Sequence, residues 1–127
     1  MIDIIATKDA PSAIGPYSQA VKAGGFIFIS GQIPIVPETG EIIEGGIIEQ
    51  TEQVMLNIDT IIKAAGATLK NTVKTTIYIQ NMNDFAQVNE IYSRFFSKHK
   101  PARATIEVSA LPKNALVEIE AVLYIGP

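Results

Sequence analysis

The 127-residue sequence predicts a single α+β domain, a mixed β-sheet with two helices on one of its faces. Three observations carry that expectation. Apolar residues recur at spacing two in four stretches and at spacing three and four in two others. These stretches fall in the order hairpin, helix, strand, helix, strand, strand. Apolar residues make up 47% of the chain and charged residues 18%, enough for one core with little left for disorder, and no internal linker is visible between residues 1 and 127.

The first two strands are Ser18 to Ala23 and Phe26 to Ile33, joined at Gly24-Gly25, where glycine supplies the positive φ of a tight hairpin turn. Pro37 to Gly40 has turn chemistry and Gly45-Gly46 marks another break, so Glu41 to Glu44 is a short strand or loop edge. Ile47, Ile48, Val54, Met55, Ile58, Ile61, Ile62 and Ala65 form the stripe of a helix that Gly66 ends. Val73 to Ile79 alternates in a β-branched run and reads as a strand. A second helix spans about Asp84 to His99, with Asn83 or Asp84 as its cap, Gln87 completing a box with Asp84, and Pro101 stopping it. Ala102 to Val108 and Val117 to Ile125 are the last strands, with a turn around Leu111 to Asn114.

Two helices cover one face of such a sheet, yet both faces carry apolar residues. On the last strand Val117, Ile119, Ala121, Leu123 and Ile125 point one way, and Glu118, Glu120, Val122 and Tyr124 the other. The hairpin repeats this, with Ile27, Ile29 and Ile33 on one side and Phe26, Phe28, Ser30 and Gln32 on the other. A neighbouring subunit is expected to cover the second face.

Composition excludes several functions. A net charge of −3 and a pI near 5.1 offer no general attraction to nucleic acid or anionic lipid. Without cysteine there is no disulfide framework or thiol nucleophile, as suits a reducing compartment. Met1 to Ala10 reads as neither signal nor transit peptide, and no apolar run reaches membrane-spanning length, so a cytoplasmic protein is expected. The single His99 allows no multi-histidine zinc site within one chain; with Lys98 and Lys100 it suits a helix terminus. No glycine pair opens a nucleotide-binding loop.

What remains is Arg103 and Glu118 on the last two strands. If those strands fold back on each other through the Leu111-Pro112 turn, 103 falls near 118, either as a catalytic pair or as an ordinary cross-strand ion pair. Glu120 shares the face of Glu118 and equally suits a rim or interface acid. Tyr17 and Ser30 are open between packing and site roles.

Four motifs give these residues a context: Gly15-Pro16-Tyr17-Ser18-Gln19-Ala20, Ser30-Gly31-Gln32-Ile33-Pro34, Asn83-Asp84-Phe85 with Val88-Asn89 and Tyr92, and Pro101-Ala102-Arg103 with Leu111-Pro112 and Val117-Glu118-Ile119-Glu120. In this order and spacing, over nearly the whole chain, they resemble the reactive intermediate deaminase (Rid) family. The resemblance implies a chorismate-mutase-like subunit and a homotrimer with a central β-barrel and active sites in the clefts between subunits. It also implies hydrolysis of 2-aminoacrylate and 2-aminocrotonate, or their imine tautomers, to 2-keto acids and ammonia, downstream of PLP-dependent dehydratases and without cofactor or metal.

Carried over by position, Arg103 holds the substrate carboxylate through two parallel hydrogen bonds. Glu118 positions the attacking water with the Gly31 carbonyl, and a nearby Arg103 keeps it ionised. Tyr17, Ser30 and Asn89 line the cleft. Thr105 stands where many relatives have Cys; it preserves a backbone contact to the ligand and removes thiol chemistry. Two other readings remain: a regulatory protein that binds 2-keto acids without turnover, and an endoribonuclease or translation inhibitor, which the acidic pI and single His disfavour.

Overall fold

Both amphipathic runs fold as helices and both lie on the same side of one sheet. The computed structural model describes residues 1–127. In chain order the elements are β1 (Ile2–Ile5), β2 (Ala20–Ala23), β3 (Phe26–Gln32), β4 (Ile35–Val36), β5 (Glu41–Ile42), α1 (Ile47–Ala64), β6 (Thr72–Ile79), α2 (Phe85–Phe95), β7 (Ala102–Glu107) and β8 (Val117–Tyr124). The main sheet has the order β1-β2-β3-β8-β6-β7; β4 and β5 form a separate two-stranded hairpin. Every pairing in the main sheet is antiparallel except β6 with β7. The alternation of Ile2-Asp3-Ile4 is too short to mark β1, and this edge strand is not anticipated.

The core is the expected one. Val54, Met55, Ile58, Ile61 and Ile62 of α1 pack on Ile27, Ile29, Ile77, Ile119 and Leu123 of the sheet, all buried. Helix α1 starts where Glu49 Oε1 accepts the Gly46 N–H at 2.8 Å. It ends at Gly66, whose φ of +77° lets the Gly66 and Ala67 N–H groups turn back to the Lys63 and Ile62 carbonyls. Two side chains of α1 tie loops to the scaffold: Asn57 Nδ2 donates to the Ile35 carbonyl at 2.9 Å, and Gln50 Oε1 accepts the Leu116 N–H at 2.8 Å.

The second helix is shorter than its apolar stripe suggests. A 3-10 turn at Met82–Asp84 precedes it, and the side chain that caps is Asn81, accepting the Asn83 N–H at 2.9 Å; Asp84 makes no such bond. It closes at Phe95, well before Pro101. Phe96 leaves helical geometry (φ −113°, ψ 54°), buried against Tyr92, while His99 Nε2 meets the Thr72 carbonyl at 2.6 Å. These contacts draw the chain onto the sheet, so His99 is bonded to a strand and not to a helix terminus.

The strand periods are interrupted twice. In β3 the register with β8 shifts between Ile29 and Gln32, turning Gln32 inward opposite Ile119 rather than outward with Phe28. In β6 a shift between Thr72 and Lys74 buries Thr72 and exposes Val73.

The expected fold-back of 103 onto 118 does not occur. β7 pairs in parallel with β6, Arg103 opposite Thr75, and β8 lies on the other side of β6, Glu118 opposite Tyr78. The crossover through α2 returns the chain parallel to β6 on its outer side. β8, whose inward side chains Val117, Ile119, Ala121 and Leu123 are fully or almost fully buried, takes the central place between β3 and β6.

Candidate active site

Arg103 projects from the edge strand on the helix-covered face, where α2 has prepared a cradle for it. Its Nη1 donates to Asn89 Oδ1 at 2.7 Å, and the guanidinium lies over the rings of Tyr92 and Phe85, 5.0 and 5.5 Å from their centroids. Phe85, Asn89 and Tyr92 are three and four residues apart on a helix, so they share one face. Tyr92 is itself fixed, its hydroxyl 2.7 Å from Thr75 Oγ1; burial raises its pKa, against the smaller effects of that bond and of Arg103. The groove beside Arg103, about 470 Å³, is also lined by Lys100 and Ser93. Thr105, half-buried, sits two residues along β7 on the same face.

Glu118 belongs to the other face. It is half-buried beside Gly31, where an added Cβ would fall on its carboxylate, 2.8 Å from Cδ, so any larger residue there displaces the Glu118 side chain. Desolvation raises the Glu118 pKa, and the like charge of Glu120 raises it further. Tyr78, across the strand, has its hydroxyl pKa raised by desolvation, then by Glu120 and Glu118. The expectation that Arg103 keeps Glu118 ionised is thus not met within one chain; its close neighbour in charge is another acid.

Tyr17 is half exposed and lines a cleft of about 240 Å³ with Gly31, Pro112 and Lys113. Ser30 Oγ donates to the Ser18 carbonyl at 2.6 Å, which pins the Tyr17 segment to β3 and leaves the hydroxyl free only to accept. The turn that closes this cleft is strained: Lys113 and Asn114 have φ of +56° and +58°, each costing about 1 kcal/mol or more outside glycine. Lys113 Nζ donating to the Gly40 carbonyl at 3.2 Å and the Gln50 bond to Leu116 hold it in place.

The site residues therefore form two half-sites. Arg103, Asn89 and Thr105 stand on the helix side; Glu118 and Gly31 face outward from the sheet, with Tyr17 and Ser30 at its end. From the register, Arg103 and Glu118 are three residues apart along the strands and two strands apart across them, roughly 10 Å in each direction, with the sheet between their side chains. Sequence reasoning missed Phe85 and Tyr92 as partners of Arg103. Their spacing from Asn89 is readable, but only the parallel placement of β7 puts Arg103 over them.

The fold that carries these residues is one that known proteins share. The sequence pattern of the family described as Endoribonuclease L-PSP matches residues 7–125. The chain belongs to the Rid family. A Rid relative from Pyrococcus horikoshii, described as a RutC family protein, is 56% identical over 98% of each chain. The 2-iminobutanoate/2-iminopropanoate deaminase of Homo sapiens is 49% identical over 98% of this chain and 90% of its own. Among solved structures, TdcF of E. coli with bound serine superimposes with a TM-score of 0.93 at 42% identity, covering 98% of this chain and 99% of that one. The Rid chain described here has the fold of those relatives, and no helix in it is long and apolar enough to cross a membrane.

Proposed function

We propose that this Rid protein hydrolyses 2-enamine and 2-imine acids, 2-aminoacrylate and 2-aminocrotonate with their imine tautomers, to 2-keto acids and ammonia. It acts as a cytoplasmic homotrimer on substrates released by PLP-dependent dehydratases. The observation that carries this reading is the preorganised Arg103. With one N–H committed to Asn89 and its central carbon held over two aromatic rings, the guanidinium keeps further N–H groups to grip a carboxylate in two parallel hydrogen bonds.

Because Glu118 faces away from Arg103, a complete site takes Arg103 from one subunit and Glu118 with Gly31 from its neighbour. The outward face supports such an assembly, since Ile4, Phe26, Phe28 and Tyr124 are all exposed there. The Glu118 carboxylate and the Gly31 carbonyl orient a water toward the imine carbon. As the C–O bond forms, the water proton passes through Glu118 to the nitrogen; the carbinolamine then expels ammonia and leaves the keto acid. The imine carbon is already electrophilic, so positioning supplies most of what the reaction asks of the protein. The human relative's name describes this activity, and TdcF is described with serine bound, a ligand with a carboxylate of this size.

The test couples a PLP-dependent threonine or serine dehydratase to this protein and times keto acid release while semicarbazide competes for the imine. Faster keto acid formation with less semicarbazone, both abolished in Arg103→Ala, is the expected result. No acceleration, with 2-ketobutyrate still bound, replaces the enzyme by a keto-acid sensor.

A further inference from the structure

A second groove, larger than the one beside Arg103 and meeting it at Phe96, lies at the end of the helical layer where the segments after α1 and α2 meet. It encloses about 820 Å³ between Lys63, Leu69, Lys70, Phe95, Lys98 and His99. In a chain of net charge −3, three of the ten basic residues and the only histidine gather here, against a single acid, Asp59, which is paired with Lys63 at 2.9 Å. Basic residues commonly complement helix C-termini, and Lys63 does so here, whereas Lys98 stands three residues beyond the end of α2. That reason does not extend to Lys70, which stands on the 3-10 turn Leu69–Asn71 outside either helix. Nor does it extend to His99, whose Nε2 donates to the Thr72 carbonyl of β6, leaving Nδ1 as the ring's remaining polar atom. Between these groups the wall is apolar: Leu69 and Phe95 are only partly buried, with Phe96 beneath them.

We propose that this groove is a second binding site, for a small amphiphilic anion: a phosphate or carboxylate carried on an acyl or aryl body. The ammonium groups of Lys70 and Lys98 meet the anion while Leu69 and Phe95 cover its apolar part. The volume is that of a small-ligand pocket. Because the groove opens on the helical side of the sheet, packing of the outward sheet faces leaves it accessible. It touches the Arg103 groove only at Phe96, shares no charged residue with it, and does not rest on the deaminase reading.

The test titrates the whole protein with phenyl phosphate and, separately, with inorganic phosphate, following backbone amide shifts. The expected result is saturable shifts at Leu69, Phe95, Lys98 and His99, with phenyl phosphate the tighter ligand. The double variant Lys70→Glu/Lys98→Glu weakens it by about tenfold or more, while Lys8→Glu, remote from the groove, leaves it unchanged. Dispersed amide spectra establish that both variants are folded, and imine hydrolysis in the double variant stays at the wild-type rate. Equal affinity for inorganic phosphate, shifts confined to Asn89 and Tyr92, or undiminished binding in the folded double variant overturns the proposal. So does displacement of phenyl phosphate by a short single-stranded oligoribonucleotide that binds more tightly.

Discussion

Replacing Arg103 by Lys keeps the charge and removes the geometry. In the structure one guanidinium nitrogen is held 2.7 Å from Asn89 Oδ1 while the central carbon rests 5.0 Å from the Tyr92 centroid, so the outer edge of the fork is aimed before any ligand arrives. An ammonium group is a point charge with three donors and no plane. It cannot bond Asn89, stack on Tyr92 and present two parallel N–H groups together. Losing one charge-assisted bond to the carboxylate, about 1.5–3 kcal/mol, and the ring contact, about 0.5–1 kcal/mol, removes roughly 2–4 kcal/mol of transition-state binding, or about 30- to 900-fold in kcat/KM. The dehydratase-coupled assay reads this directly, with near-UV circular dichroism to show that the variant is folded. Arg103→Lys within threefold of wild type would refute the argument that the cradle aims a bidentate donor. Equal loss in Arg103→Lys and Asn89→Ala would mean that the Asn89 bond is the larger part of that aim.

Three further outcomes are expected. Mixing Arg103→Ala with Glu118→Gln subunits, each inactive alone, restores turnover at about a quarter of sites after random reassembly, because the two residues then come from different chains; no recovery in verified mixed oligomers places both on one chain. Within one subunit desolvation and Glu120 raise the Glu118 pKa, and in the assembled site an Arg103 from the adjoining subunit opposes them; removing the like charge in Glu120→Gln moves the acidic limb of kcat/KM to lower pH, and an unmoved limb removes Glu120 from the surroundings that tune Glu118. Gly31→Ala, whose Cβ would fall on the Glu118 carboxylate, lowers kcat strongly and leaves a cooperative thermal transition near that of wild type; undiminished kcat removes Glu118 from the water site.

Much of this was legible because the two periodicities are clean. The stripe from Ile47 to Ala65 and the alternation in Val117 to Tyr124 each have one interpretation, and the structure follows them. The order of strands was not legible in the same way. Leu111-Pro112 between two strands reads as a hairpin, whereas a crossover through α2 carries β7 outside β6, and no local pattern separates the two. The bulges at Ser30-Gly31 and Val73 break the alternation without a punctuating Pro or Asn. For the site, motif resemblance selected Arg103, Glu118 and Gly31, and the structure does bring Glu118 and Gly31 together. The supporting rings of Phe85 and Tyr92 read as core residues, because an aromatic stripe on a helix has the same spacing whether it packs on a sheet or on a cation.

Strand β7 carries Arg103 at the rim of the sheet, with a neighbour on one side only. Sheet rims are commonly blunted by Lys, Pro or a bulge, since unpaired peptide groups accept any passing strand. Between Ala102 and Ile106 this one has neither Lys nor Pro, Arg103 is its one charge, and its pairing with β6 runs without a bulge. The openness that leaves the arginine reachable also leaves a solitary subunit adhesive. On the trimeric reading proposed above, the hazardous moment is the interval between a chain finishing its own fold and meeting its partners, and rapid assembly shortens it.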